Sequence, residues 1–241
     1  MKYIIKDTDL RVYKLSESCI FKKNNERHGQ LSNMASGFPI KVNNVSIKTT
    51  EALYQACRFP HRPDIQAKLI NEISPMHVKM LSNSHKIDSR PDWEDVRIKV
   101  MKWCVNLKLA QNILSFGEVL NSTGSKYLVE NSSKDNFWGA IPDSNNEHYT
   151  GQNALGRLLM DLRQKFQGSQ WLDLLYVEPP EISNFLLYND EIKIIDERLN
   201  YIKSLVKYWK IEHKIILKHF DEADNKFYNL GLKINGQKGL F

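Results

Sequence analysis

Apolar and polar positions alternate along this chain in two distinct rhythms. From residue 152 to 167, Leu155, Leu158, Leu159, Leu162 and Phe166 recur at helical spacing and give one apolar stripe. Similar patterning predicts helices near 64–73 and 94–116, and a helix starting at Thr50, with Thr49 or Thr50 as cap and Glu51 in the first turn. Residues 18–22 and 39–48 read instead as short strands, with Val42, Val45 and Ile47 at β-favouring positions after a Gly37-Phe38-Pro39 turn.

The rhythm breaks at Val177-Glu178-Pro179-Pro180-Glu181, where two prolines forbid helix continuation. Beyond it Ile192, Ile195, Leu199, Ile202, Val206 and Trp209 recur every three or four residues, with Ile216 and Phe220 in phase. Asn189 as cap and Asp190-Glu191 as an acidic first turn predict one helix of about 30 residues, longer than is usual in globular proteins. The fold class predicted is α+β, predominantly helical, with a small β-sheet and a long C-terminal helix. Its divisions are a domain over 1–176, a proline-containing connector over 177–189 and a helical extension over 190–241.

The 241 residues are 41% hydrophobic and 26% charged, as in globular proteins with a substantial core. No apolar run is long enough to span a bilayer, and Met1–Asp7 turns polar before a signal-peptide core can form. A cytoplasmic location with no membrane partner is therefore expected. Cys19, Cys57 and Cys104 lack zinc-site spacing and the seven histidines include no HExxH pair, so no zinc or redox site is expected; a magnesium ion held by carboxylates and phosphate would leave little trace in the sequence, and no metal or cofactor is assigned. A net charge of +6 favours polyanionic partners.

Glu51, Gln55 and Arg58 share one helical face, readable as a solvated stripe or as a site. Lys108 has the apolar neighbours Met101, Cys104 and Val105, so it either snorkels or sits buried with a partner. Trp93 is either a core tryptophan before a helix or a stacking surface, and Lys79 either an exposed lysine or a phosphate contact. Asp135 and Trp138 read as a turn cap and a buried aromatic, and Glu130 as a surface carboxylate. Gly151–Gly156 has the glycine spacing of a phosphate loop, but Arg157-Leu158 follows where lysine and a hydroxyl are needed, so ATP hydrolysis is unsupported. Asn153 is then available to cap the helix or bind ligand hydroxyls.

Four separated segments, Leu31-Ser32-Asn33-Met34, Thr50–Ala56, Asp135-Asn136-Phe137-Trp138-Gly139 and Asn153–Met160, together resemble the NADAR family of YbiA-like proteins over about Phe21 to Arg163. Ser74–Met80 with Arg90-Pro91-Asp92-Trp93 looks like the family's central motif, and Lys108-Leu109-Ala110-Gln111-Asn112 its basic residue followed by Gln-Asn. The resemblance implies catalytic roles for Glu51, Asp135, Lys79 and Lys108. It implies substrate contacts for Asn33, Gln55, Trp93, Gln111, Glu130, Trp138, Gly139, Asn153 and Arg163.

Residues 30–35 and 51–60 look like the antitoxin branch, which removes ADP-ribose from guanine in DNA and reverses a partner ADP-ribosyltransferase toxin. The resemblance thus implies an ADP-ribose-processing N-glycosidase acting on ADP-ribosylated DNA. Two alternatives stand beside it: a riboflavin-pathway N-glycosidase, and a non-catalytic ADP-ribose reader. Water activated by a carboxylate and an imine on Lys79 or Lys108 are both open as mechanisms. Sequence does not give the oligomeric state.

Overall fold

The computed structural model describes residues 9–209. They divide into two compact units, one ending at Asp196 and the other beginning at Glu197.

The first unit opens with strand β1 (Arg11–Lys14) and strand β2 (Ser18–Phe21). Strands β3 (Ile40–Val42) and β4 (Val45–Ile47) follow as a hairpin. Its two-residue turn puts Asn43 and Asn44 at φ 47° and 66°, the left-handed pair that a tight hairpin requires and asparagine tolerates. Helix α1 (Thr50–Ala56) starts where Thr49 accepts a hydrogen bond from the Ala52 N–H, and all seven of its residues are buried. Helices α2 (Pro63–Asn71) and α3 (Pro75–Ser84) each take a proline in the first turn, where no N–H is needed.

A single helix over 94–116 was the expectation; the chain instead forms α4 (Trp93–Gln111) and α5 (Ile113–Ser122). Asn112 causes the break. Its side-chain amide donates to the carbonyls of Lys108 and Pro39, closing α4 in place of the continuing backbone ladder. Strand β5 (Tyr127–Glu130) then pairs in parallel with β2, while β6 (Ile141–Pro142) and β7 (His148–Gly151) join β1 in a three-stranded antiparallel sheet. Helix α6 (Ala154–Phe166) packs on β5 at a distance only glycine permits, since a Cβ on Gly156 would lie 2.0 Å from the Leu128 carbonyl oxygen.

Past α6 the expected connector is packed against the core. Strands β8 (Tyr176–Val177), β9 (Leu186–Leu187), β10 (Asp190–Glu191) and β11 (Ile195–Asp196) form two short antiparallel pairs, β8 with β11 and β9 with β10. Arg90 donates to the Ser183 carbonyl, Gln66 bonds the backbone on both sides of Leu187, and Phe185 meets the Trp103 ring edge-on. Asn189 is therefore no helix cap. With Tyr188 it adopts positive φ and turns the β9–β10 hairpin.

In the second unit, helix α7 begins at Arg198 and is described to Trp209. Ile192 and Ile195 thus precede the helix on which they were predicted. Ile216 and Phe220 lie outside the described residues. Among the described residues no helix is long and apolar enough to cross a membrane.

Candidate active site

Burial of α1 sets up the site. A seven-residue helix with every side chain covered carries Glu51 and Gln55 inward, leaving each 7% exposed. Both line a cleft of about 370 Å³ together with Asn33, Lys79, Glu130, Asp135 and Trp138. Glu130 arrives from the C-terminal end of β5, and Lys79 from the exposed side of α3. The Asn33 carbonyl accepts the Glu51 N–H at 3.0 Å, tying the 30–34 segment to the start of α1. Asn33 Nδ2 donates to Met101 Sδ, while its buried Oδ1 finds no partner among the described residues and can accept from a ligand hydroxyl.

The two glutamates differ in their surroundings. Desolvation raises the Glu51 carboxyl above its ordinary value, opposed by the Gln55 amide, which donates to Oε1 at 2.8 Å, and by the charge of Lys79. Gln55 is itself oriented by the Ser82 hydroxyl, which donates to its Oε1. For Glu130 desolvation also dominates, the charges of Glu51 and Asp135 add to it, and Lys79 only partly offsets them. Its pKa is raised to about 7. One carboxyl thus holds its proton near neutrality in a cleft shared with a second carboxyl that has a dedicated hydrogen-bond donor, a division suited to acid–base chemistry.

A family profile described as the NADAR domain matches residues 20–167, a span that contains every residue lining this cleft. The chain belongs to the NADAR family. It is 29% identical to the N-glycosidase YbiA of Escherichia coli over 169 residues, covering 68% of this chain and 92% of that protein. It is 33% identical to a riboflavin biosynthesis protein of Vibrio vulnificus over 161 residues, 66% of this chain and 41% of that longer protein. The NMR structure of E. coli YbiA superposes with a TM-score of 0.53 at 26% identity, covering 69% of this chain and 93% of that one, and so shares its fold. N-glycosidase is the activity class named for these YbiA relatives.

Several residues assigned to the NADAR site from sequence lie elsewhere. Lys108 is fully buried, donates to the Gln30 and Ser32 carbonyls at 2.9 and 3.1 Å and sits over the Phe38 and Phe116 rings. Desolvation pushes its pKa well below the ordinary lysine value. It is not among the cleft-lining residues, and its head group holds the loop that delivers Asn33. Gln111 binds both backbone groups of Lys41, which fixes the β3 edge. Arg163 clamps Thr123 and the Lys126 carbonyl. Asn153 is fully buried at φ 51° and neither caps α6 with its side chain nor lines the cleft.

Trp93 is a core tryptophan packed on Tyr54, with ring centroids 5.0 Å apart. Asp135 does line the cleft, yet its Oδ1 also accepts the Phe137 and Trp138 N–H groups, so the turn-capping reading holds too. Gly139 is needed for close approach: a Cβ there would lie 2.5 Å from the Glu130 carbonyl oxygen.

The cleft also contains residues that sequence reasoning did not assign to it. Arg97 stacks 3.8 Å above the Phe137 ring, extending an aromatic wall in which Trp138 meets Tyr54 edge-on. Its signal was available as one helical turn beyond Trp93. Asn131 follows Glu130 into the cleft with an Oδ1 that has no partner among the described residues, and Lys22 adds positive charge, as does Arg58, which its spacing already grouped with Glu51 and Gln55. Among the described residues no group of three or more His, Cys, Asp or Glu side chains is placed to hold a metal ion.

Proposed function

We propose that this protein is an N-glycosidase that removes ADP-ribose from guanine in DNA and so acts as antitoxin to an ADP-ribosyltransferase toxin. The observation that carries the catalytic part is the pair of unlike carboxyls in one cleft, Glu51 and Glu130, the latter raised to about 7. Cleavage of a ribosyl C–N bond leaves electrons on the departing nitrogen and positive charge on the sugar. Protonated Glu130 donates to the nitrogen as the bond breaks. Ionised Glu51 stabilises the developing oxocarbenium ion and takes a proton from the water that adds to the anomeric carbon. The products are free ADP-ribose and intact guanine.

Four cationic residues around the cleft, Lys22, Arg58, Lys79 and Arg97, support a substrate with more than one phosphate. Incubation with an oligonucleotide carrying ADP-ribosylated guanine, followed by product separation, tests the reading. Release of ADP-ribose with recovery of the unmodified oligonucleotide is the expected result; tight binding with no release would leave a reader in place of an enzyme.

The name of the Vibrio relative favours a second reading, in which the same carboxyl pair cleaves the N-glycosidic bond of a riboflavin-pathway intermediate. Turnover of that substrate with none of the modified oligonucleotide would select it.

A further inference from the structure

A second cavity, about 630 Å³, lies at the opposite end of the strand pair that carries Glu130. Ser18 and Cys19 begin β2 on one side, the turn before β5 forms another, and Arg27, His28 and Lys126 supply its charge. No carboxylate lines it. Arg27 and Lys126 are exposed, and neither has a carboxylate within ion-pairing distance among the described residues. Their charges converge: both repel a proton from His28, whose pKa is lowered chiefly by burial, and both act on buried Cys19.

The segment from Lys22 to His28 joins this cavity to the catalytic cleft, because Lys22 lines the cleft while Arg27 and His28 line the second cavity. Its shape is fixed locally. Glu26 N–H donates to the Lys23 carbonyl at 3.1 Å, Gly29 N–H to the Glu26 carbonyl at 2.9 Å, and the Asn24 amide to the Met34 carbonyl at 2.8 Å. A Cβ on Gly29 would lie 2.1 Å from the Lys23 carbonyl oxygen, so the loop closes only around glycine. Along β2 only Phe21 stands between Ile20, which lines the second cavity, and Lys22, which lines the cleft.

We propose that the 22–28 loop and the second cavity form a track for the sugar–phosphate backbone of a nucleic-acid strand, with Lys22 meeting it at the cleft and Arg27 and Lys126 holding a phosphate farther along. The proposal rests on the nucleic-acid reading above and adds to it a contact remote from chemistry. Glu26 on the loop pairs with Lys23 at 3.7 Å, so the cations the track offers are Lys22, Arg27 and Lys126. Exposed cations at a cavity lined by no carboxylate suit repeated phosphates, and a preformed loop lowers the ordering cost of binding. A base modified with ADP-ribose then enters the cleft while its own strand continues over the loop.

The test is the double substitution Arg27→Glu and Lys126→Glu in the full chain, with Lys126→Gln as a milder variant, each checked for an unchanged circular-dichroism spectrum. Fluorescence anisotropy measures binding of an unmodified single-stranded oligonucleotide across a salt series. Wild-type affinity should fall with salt; the double variant should bind about tenfold or more weakly, with a salt slope shallower by about 0.7 per lost phosphate contact. The kcat/KM for a modified oligonucleotide should fall in parallel, while that for ADP-ribosylated guanosine stays unchanged.

Equal oligonucleotide binding by wild type and variants, or no binding by wild type, overturns the track even if modified DNA is turned over. Inorganic phosphate competing as well as an oligonucleotide at equal phosphate concentration would make the cavity a free-phosphate site and also overturn it. Binding lost in the variants, with no ADP-ribose released by wild type, supports the track and sinks the proposed reaction.

Discussion

Asn153 holds the backbone of Glu130: its Oδ1 accepts the Glu130 N–H at 3.1 Å while its Nδ2 donates to the Leu128 carbonyl at 2.8 Å. A buried asparagine at the start of α6 thereby fixes the end of β5, where the raised carboxyl stands. Asn153→Asp keeps the acceptor for Glu130 but places an oxygen against the Leu128 carbonyl. Losing one buried hydrogen bond and leaving an acceptor unpaired should cost about 1–3 kcal/mol in stability. Thermal denaturation would show it as a lowered Tm, and an unchanged Tm would remove Asn153 from this bracing role.

Lys79 and Lys108 separate cleanly by experiment because only Lys79 faces the cleft. If turnover passes through an imine, borohydride should trap the sugar on Lys79 and leave Lys108 unmodified in the peptide masses. Lys108→Met should instead act on stability, by about 2–5 kcal/mol, since it leaves the Gln30 and Ser32 carbonyls buried without a donor. An adduct on Lys108 would show that the loop it holds opens during turnover.

The strands within 39–48 and the helix at Thr50 were legible from local chemistry, Val42, Val45 and Ile47 at β-favouring positions and a threonine cap, whereas the Asn43-Asn44 turn that folds 40–47 into a hairpin was not read from the sequence. Glu51 and Gln55 fall on one helical face by their spacing, but Lys79 was placed near them only through the family resemblance, since nothing in the spacing brings α1 against α3. Lys108, Gln111 and Arg163 were assigned to the site through the family resemblance, and sequence does not show that their polar groups are already taken by the Gln30, Ser32, Lys41 and Lys126 backbone and the Thr123 hydroxyl. Asn189 was misread for a related reason. Asparagine caps helices and also turns hairpins, and the partner strand that decides between them forms from only two residues, Leu186 and Leu187.

Where the first unit ends is testable by truncation. A chain ending at Asp196 retains β10 and β11, the hydrogen bond from Asn43 to the Glu191 carbonyl, and Ile192, which is 2% exposed. A chain ending at Asn189 loses all of them. Burying one isoleucine stabilises by about 1.5–3 kcal/mol, so the shorter chain should melt lower by on the order of 5 °C. Identical melting of the two would show that the β8–β11 and β9–β10 pairs add nothing to the unit.

The pH behaviour of Glu130 links stability to catalysis. Its pKa is about 7 in the folded state against an ordinary 4.5, so the folded chain binds this proton more tightly than the unfolded chain does. The stability it contributes is therefore full below about 4.5 and is lost as pH rises through about 7, by on the order of 3 kcal/mol. Glu130→Gln cannot ionise and should melt higher than wild type at pH 8, with the difference shrinking toward pH 5. If the carboxyl donates the proton in C–N cleavage, wild-type kcat should fall as pH rises through the same region. The substitution should lower kcat on the order of a hundredfold and abolish that limb. Glu51→Gln should also lower kcat on that scale but leave the stability difference of Glu130 smaller, because one of the charges raising its pKa is gone. A Glu130→Gln variant that melts like wild type at pH 8 and keeps its kcat would mean that this carboxyl is neither strained by ionisation nor the proton donor.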